Sequence, residues 1–251
     1  MREIRALTPG FDPGPAHRLG VISLASDQVS SDEIRAVCGA PGTAIHETRI
    51  PNEDTVNAET LRAMERGLTE SASRLPGGVR YDAVAYLCTS ASRLIGFDRV
   101  AGLVRAAVPG AAVTNPMQAA IAAAEAVGAR RIALVTPYVA EVTDALAAGF
   151  EEAGIAVASA ASFFTDSDAK VAWIDADSLL RAAVEQAGDA DAVFLSCTAL
   201  RTVHLTARIE AEIGRHVLSS NQAVAWDLLR LSGARPVPGD WGRLMAALPR
   251  D

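Results

Sequence analysis

The chain has 251 residues, half of them hydrophobic, and a formal net charge of −7. That acidic balance argues against nucleic acid or an anionic membrane surface as a partner, and no apolar run is long enough to cross a bilayer. Three cysteines without a C-x-x-C spacing suggest neither a disulfide framework nor a zinc knuckle, so reduced thiols in a cytoplasmic protein are expected.

The N-terminal stretch MREIRALTPGFDPGPAHRLG carries charge and prolines but no apolar core, so it does not read as a secretory signal. Short apolar runs ending at small polar residues then predict strands at 19–24, 43–49, 82–88 and 111–114. Helix-like stretches lie between them, notably Glu53–Arg74 and Ser92–Ala107. A second series follows, with strands at 132–136, 154–160, 191–197 and 216–219 and helices over Glu141–Ala153 and Asp177–Ala187. Gly128, Gly154 and Gly188 stand where helices stop, as C-terminal caps prefer.

The two series repeat one another. LGVISL matches IALVT, GTAIHETRI matches GIAVASAAS, VAYLCTS matches VFLSCTA, and Val113-Thr114-Asn115 matches Leu218-Ser219-Ser220-Asn221, all in the same order and 105 to 113 positions apart. Strand–helix alternation demands parallel sheets with right-handed crossovers. The expected fold is therefore α/β, with two duplicated flavodoxin-like (Rossmann-like) parallel-sheet halves in pseudo-twofold relation. The first half is placed at 18–115 and the second at 116–233, with helix 117–127 as a possible crossover and 1–17 and 234–251 as terminal extensions.

Open parallel sheets bind ligands beyond the carboxyl ends of their strands. That rule selects Ser26, Asp27, Cys88, Thr89, Ser90, Thr114 and Asn115 from the first half. From the second it selects Thr136, Tyr138, Cys197, Thr198, Ser219, Ser220 and Asn221. Cys88 and Cys197 occupy equivalent positions, each followed by Thr and by a turn leading toward a helix. A helix N-terminus stabilises a thiolate and offers amides to a carboxylate. Two thiols on one cleft suit acid–base catalysis with interchangeable roles. A strand-end cysteine is also a common core residue, and it is the duplication that favours the functional reading; Cys38 has no counterpart and reads as core. Asp27 suits a substrate nitrogen, a base beside Cys88, or the cap of the following helix. Arg93 and Arg201 are either anion ligands or surface ion pairs. His204, seven residues after Cys197, either touches the site or rides on the next helix. The scattered histidines suggest no metal site, no G-x-G-x-x-G marks a dinucleotide, and Trp173, Trp226 and Trp241 are too dispersed to form a stacking platform.

VAYLCTSASRLIG around Cys88, RRIALVTPYVAEV around Tyr138, and FLSCTALRT followed by LSSNQAVAWDLLRLSG resemble the aspartate/glutamate racemase superfamily. Within it the likeness is to the maleate cis–trans isomerase and arylmalonate decarboxylase branch, over Arg18 to Gly233. The resemblance implies no metal and no organic cofactor, Cys88 and Cys197 as the catalytic pair, and Tyr138 with the amides after each cysteine as carboxylate ligands. Thr89, Ser90, Thr198 and Asn221 complete the expected substrate-binding set with Asp27. Ala25-Ser26-Asp27-Gln28 departs from the Ser-Asn-Thr string of maleate isomerases and is similar to the ectoine-utilisation protein A subgroup, and Asp168-Ala169-Lys170 lacks an expected maleate-binding Asn. The implied activity is racemisation or isomerisation of a small carboxylate. The alternatives are an arylmalonate-type decarboxylase with Cys197 as proton donor and a non-catalytic binder of an amino acid derivative. A homo-oligomer is expected, because the duplicated α/β form commonly exposes a helix for dimerisation.

Overall fold

A computed structural model describes residues 5–165 and 167–249; residues 1–4 and 250–251 of the expected extensions, and the side chain of Asp168, lie outside the described residues. Eight strands form two four-stranded parallel sheets. The first holds β1 (His17–Leu24), β2 (Thr43–Ile50), β3 (Ala83–Tyr86) and β4 (Ala112–Thr114) in the order β2-β1-β3-β4. The second repeats that order with β5 (Arg131–Thr136), β6 (Ala156–Ser162), β7 (Ala192–Leu195) and β8 (His216–Ser219), as β6-β5-β7-β8. Central strands β3 and β7 are buried along their whole length, which is why AVAY and AVFL are uninterrupted apolar runs. The edge strand β6 alternates between exposed and half-buried residues instead.

The helices are α1 (Ser30–Cys38), α2 (Ala58–Ala63), α3 (Leu68–Ser73), α4 (Thr89–Ile95), α5 (Phe97–Ala107), α6 (Pro116–Ala126), α7 (Ala140–Glu152), α8 (Asp168–Val171), α9 (Ala176–Ala187), α10 (Thr206–Ile213) and α11 (Ser220–Ser232). Two differ from expectation. The stretch Glu53–Arg74 is a loop followed by α2, a 3-10 turn over Met64–Gly67, and α3. Asn57 fixes the late start: its side chain accepts from the amides of Glu59 and Thr60, and Thr60 returns a bond to the Asn57 amide, a capping box that ends the preceding loop. The stretch Ser92–Ala107 starts earlier, at Thr89, and is cut at Gly96, whose φ of 89° and ψ of 147° no helix accommodates.

Two helices tie the sheets together. α11 follows β8 of the second sheet yet packs against β1, β3 and β4 of the first, and α6 packs against α11 and β8. Apolar side chains of both halves consequently form one continuous core. Cys38 is fully buried in it, and burial pushes its thiol well above the usual range. Among the described residues no helix is long and apolar enough to cross a membrane.

Candidate active site

The carboxyl ends of β1, β2, β3, β5 and β7 surround a narrow cleft. Six of the eight predicted site residues line it: Cys88, Thr89, Ser90, Tyr138, Cys197 and Thr198. Leu24, Val56, Leu61 and Met64 supply apolar lining, and Asn52 and Glu53 add polar groups. Among the described lining residues there is no Lys or Arg, so an anion here is held by hydroxyls and amides.

The two cysteines reach the cleft by different local structures. Cys88 is the extended N-cap of α4, with φ of −148°, and its Sγ lies 3.7 Å from Ser90 Oγ. The first amides of α4 have no carbonyl partner inside the helix, as anticipated for both thiols. Cys197 corrects that expectation. It has φ of 136°, and Thr198–Leu205 forms turns before α10 begins at Thr206, so no helix N-terminus supports this thiol. Its amide instead donates to Ser220 Oγ at 3.0 Å, and the Ala199 amide points at Cys197 Sγ at 3.4 Å.

Hydrogen bonds between the halves lock the two loops together. Thr89 Oγ1 donates to Ser220 Oγ at 2.8 Å, and Thr198 Oγ1 donates to the Leu87 carbonyl at 3.2 Å. Each cysteine-loop threonine thus crosses to the other half. Tyr138 is buried, and Cys197, Cys88 and Ser196 all lie near enough to influence its hydroxyl, yet that oxygen has no hydrogen bond of ordinary geometry among the described residues. Burial, then the neighbouring Cys197, holds its ionisation well above the usual tyrosine range, so it remains a neutral donor.

Two predicted ligands lie outside the cleft. Asp27 accepts from the amides of Val29 (2.7 Å) and Ser30 (2.8 Å) and from the Ser30 hydroxyl. Its carboxylate caps the start of α1, which is the capping alternative, and does not line the cleft. Asn221 is fully buried, and its Nδ2 donates to the Thr198 carbonyl (2.9 Å) and to Glu33 Oε2 (2.7 Å). It braces the loop after Cys197 from behind. Arg93 pairs with Glu152 and the Ala145 carbonyl, Arg201 packs over Trp173 and bonds the Ala172 carbonyl, and His204 lies against Trp241. None of the three lines the cleft. Asn52 and Glu53 follow the carboxyl end of β2, so their signal in the sequence is the same strand-end position that marks the other lining residues. Ser220, selected at the end of β8, receives the Cys197 amide and the Thr89 hydroxyl, whereas Glu33 acts through geometry that no local motif reveals. Among the described residues no group of three or more His, Cys, Asp or Glu side chains forms a metal site.

Comparison with known proteins agrees with this geometry. The chain is 36% identical over 124 residues to an arylmalonate decarboxylase of Bordetella bronchiseptica, a match that spans about half of either chain (47% and 51%). It is 28% identical over 246 residues to a maleate isomerase of Nocardia farcinica, covering 91% of this chain and 95% of that one. Its fold superposes on the maleate isomerase Iso of Pseudomonas putida S16 with a TM-score of 0.83 at 22% identity, covering 92% and 98% of the two chains. A liganded arylmalonate decarboxylase mutant superposes with a TM-score of 0.79 at 28% identity, covering 91% and 98%. The family model for arylmalonate decarboxylase matches residues 56–245, a span that takes in both cysteines, and the chain belongs to that family.

Proposed function

We propose that the protein is a cofactor-independent isomerase or racemase of a small carboxylate, with Cys88 and Cys197 as its catalytic thiols. The observation that carries this reading is the presence of both cysteines on one cleft, each followed by a threonine bonded to the opposite half. In the proton-transfer form, one thiolate removes the proton α to the carboxylate and becomes a thiol, leaving an enolate-type carbanion. The other thiol then delivers its proton to the opposite face and becomes the thiolate. In the alkene form, a thiolate adds to one carbon of the double bond, the resulting single bond rotates, and elimination restores both thiolate and alkene. Ser90 and Tyr138, with the amides after each cysteine, donate to the carboxylate in both forms, while the Thr89 and Thr198 hydroxyls stay committed to Ser220 and Leu87. Negative charge developing beside such donors is where preorganised hydrogen bonds contribute most.

The lining favours one carboxylate over two. It offers neutral donors, no cationic side chain among the described residues, and an anionic Glu53. We further propose two units, 18–115 and 116–233, with α6 and α11 as the helices shared between them.

A second reading is decarboxylation of a substituted malonate, with Cys197 donating the proton. The apolar lining by Leu24, Val56, Leu61 and Met64 favours it, since it suits a bulky substituent, and a Bordetella relative bears that name. Deuterium exchange in heavy water separates the two readings. Incorporation or inversion at the α-carbon, or cis–trans interconversion, is expected in the wild type and should fall by about 10²–10⁴ in both Cys88→Ser and Cys197→Ser. Release of carbon dioxide from a malonate that survives Cys88→Ala but not Cys197→Ala would establish the decarboxylase instead. Full isomerase turnover in both serine variants would remove the leading reading.

A further inference from the structure

Cys197 adopts a backbone conformation that side chains rarely tolerate. Its φ of 136° lies in a region that costs of order 1–3 kcal/mol for a non-glycine residue and persists only where the surroundings over-determine it. Cys88 needs no such help, because an extended N-cap leads into α4. The loop after Cys197 runs through Thr198–Leu205 without a helix, so its hold must come from elsewhere. Much of that hold comes from the other half of the molecule. Glu33, in the first turn of α1, is only 6% exposed and reaches across to this loop. Its Oε1 accepts from the amides of Thr202 at 2.6 Å and Val203 at 3.1 Å. Its Oε2 accepts from Asn221 Nδ2 at 2.7 Å, and the same Nδ2 donates to the Thr198 carbonyl at 2.9 Å. The carboxylate therefore grips the far end of the loop directly and the near end, one residue from Cys197, through Asn221.

We propose that Glu33 is a positioning residue for Cys197: a buried carboxylate of the first half that fixes the second half's thiol in the cleft. The inference rests on the reading of Cys197 as a catalytic thiol. It also explains an asymmetry of the duplicated fold. Cys88 is placed by its own helix, whereas Cys197 is placed by a side chain contributed 164 positions earlier in the chain. Hydrogen bonds to a charged group contribute more than neutral ones, so losing this set should release the loop while leaving the Cys88 side of the cleft as it was.

The test is thiol-specific and needs no turnover. Wild-type, Glu33→Ala and Glu33→Gln proteins are treated with iodoacetamide in the folded state, and the alkylation rate of each cysteine is followed by peptide mass spectrometry. In Glu33→Ala, Cys197 should react about tenfold faster or more, the factor that loss of one charge-assisted hydrogen bond produces, while the Cys88 rate stays within about twofold. Glu33→Gln keeps the shape and one acceptor oxygen, so it should move Cys197 in the same direction by a smaller factor. Should the alanine variant fail to fold, the glutamine variant decides alone. An unchanged Cys197 rate, or equal acceleration at both cysteines, overturns the proposal, the second because general loosening would then account for it. A wild-type enzyme inactive on every carboxylate offered would count against the proposed reaction but leave this alkylation result fully interpretable.

Discussion

The Tyr138 hydroxyl, buried beside both thiols without an ordinary hydrogen bond, costs the ligand-free protein the desolvation of a polar group, about 1–3 kcal/mol. A bound carboxylate would supply the missing acceptor. Tyr138→Phe should therefore leave the free protein as stable or more stable, while raising KM or lowering kcat by about tenfold, the worth of one such hydrogen bond. Parallel melting curves and kinetics check the two signs, and a loss of stability without a loss of activity would assign the hydroxyl a packing role. Asp27 makes the opposite case. Its oxygens are occupied by the start of α1, so Asp27→Ala should cost about 1 kcal/mol of stability, the usual worth of such a cap. KM should not move, and a KM change in a protein of normal stability would return Asp27 to the substrate.

Gly96 separates α4, which carries Cys88 at its cap, from α5. At φ of 89° and ψ of 147° a Cβ is strained whatever the space around it, so Gly96→Ala should lower stability by about 1–3 kcal/mol. The check is the denaturant midpoint, and an unmoved midpoint would mean that the two helices can fuse without penalty. This break was invisible in the sequence because the apolar spacing of Ser92–Ala107 runs through it, and an isolated glycine within such a pattern is commonly tolerated. The strands were legible because each is a short apolar run ending at polar residues, and the cysteine pair because the duplication places the same Cys-Thr string at the end of β3 and β7. The start of α2 was legible only in retrospect, as the Asn57-to-Thr60 capping box. Glu33 was not legible at all: an acidic residue in the first turn of an amphipathic helix suits the helix dipole, and its partners lie 169 to 188 positions away.

Across the whole molecule, the same Glu33 sets function against stability. The halves are joined by Thr89 with Ser220, by Thr198 with Leu87, by Thr114 with Asp227, and by Glu33 with Thr202, Val203 and Asn221. Since Asp227 also pairs with Arg230, only the Glu33 junction, among these described ones, buries a carboxylate whose partners are all uncharged donors. Burial raises its pKa to about 7, against the lowering effect of Asn221, Val203 and Thr202. Ionisable groups on the elements packed against α1 are engaged elsewhere, Asp227 with Arg230, Glu47 with Arg49 and Arg35, and His46 with Tyr81. A carboxyl whose folded pKa lies above its unfolded value binds more protons in the folded state between the two values. Its contribution to stability is then fully present below about pH 4.5 and is lost as pH rises through about 7. Glu33→Gln removes this titration. The stability of the wild type relative to Glu33→Gln should accordingly fall by up to about 3 kcal/mol between pH 5 and pH 8, measured as the difference in urea unfolding free energy. A difference that stays flat with pH would mean that Glu33 is already ionised at pH 5, with its hydrogen-bond donors outweighing burial. A falling difference would show that the ionised carboxylate is retained at a cost in folding energy, which is the pattern expected of a group kept for its hold on the Cys197 loop.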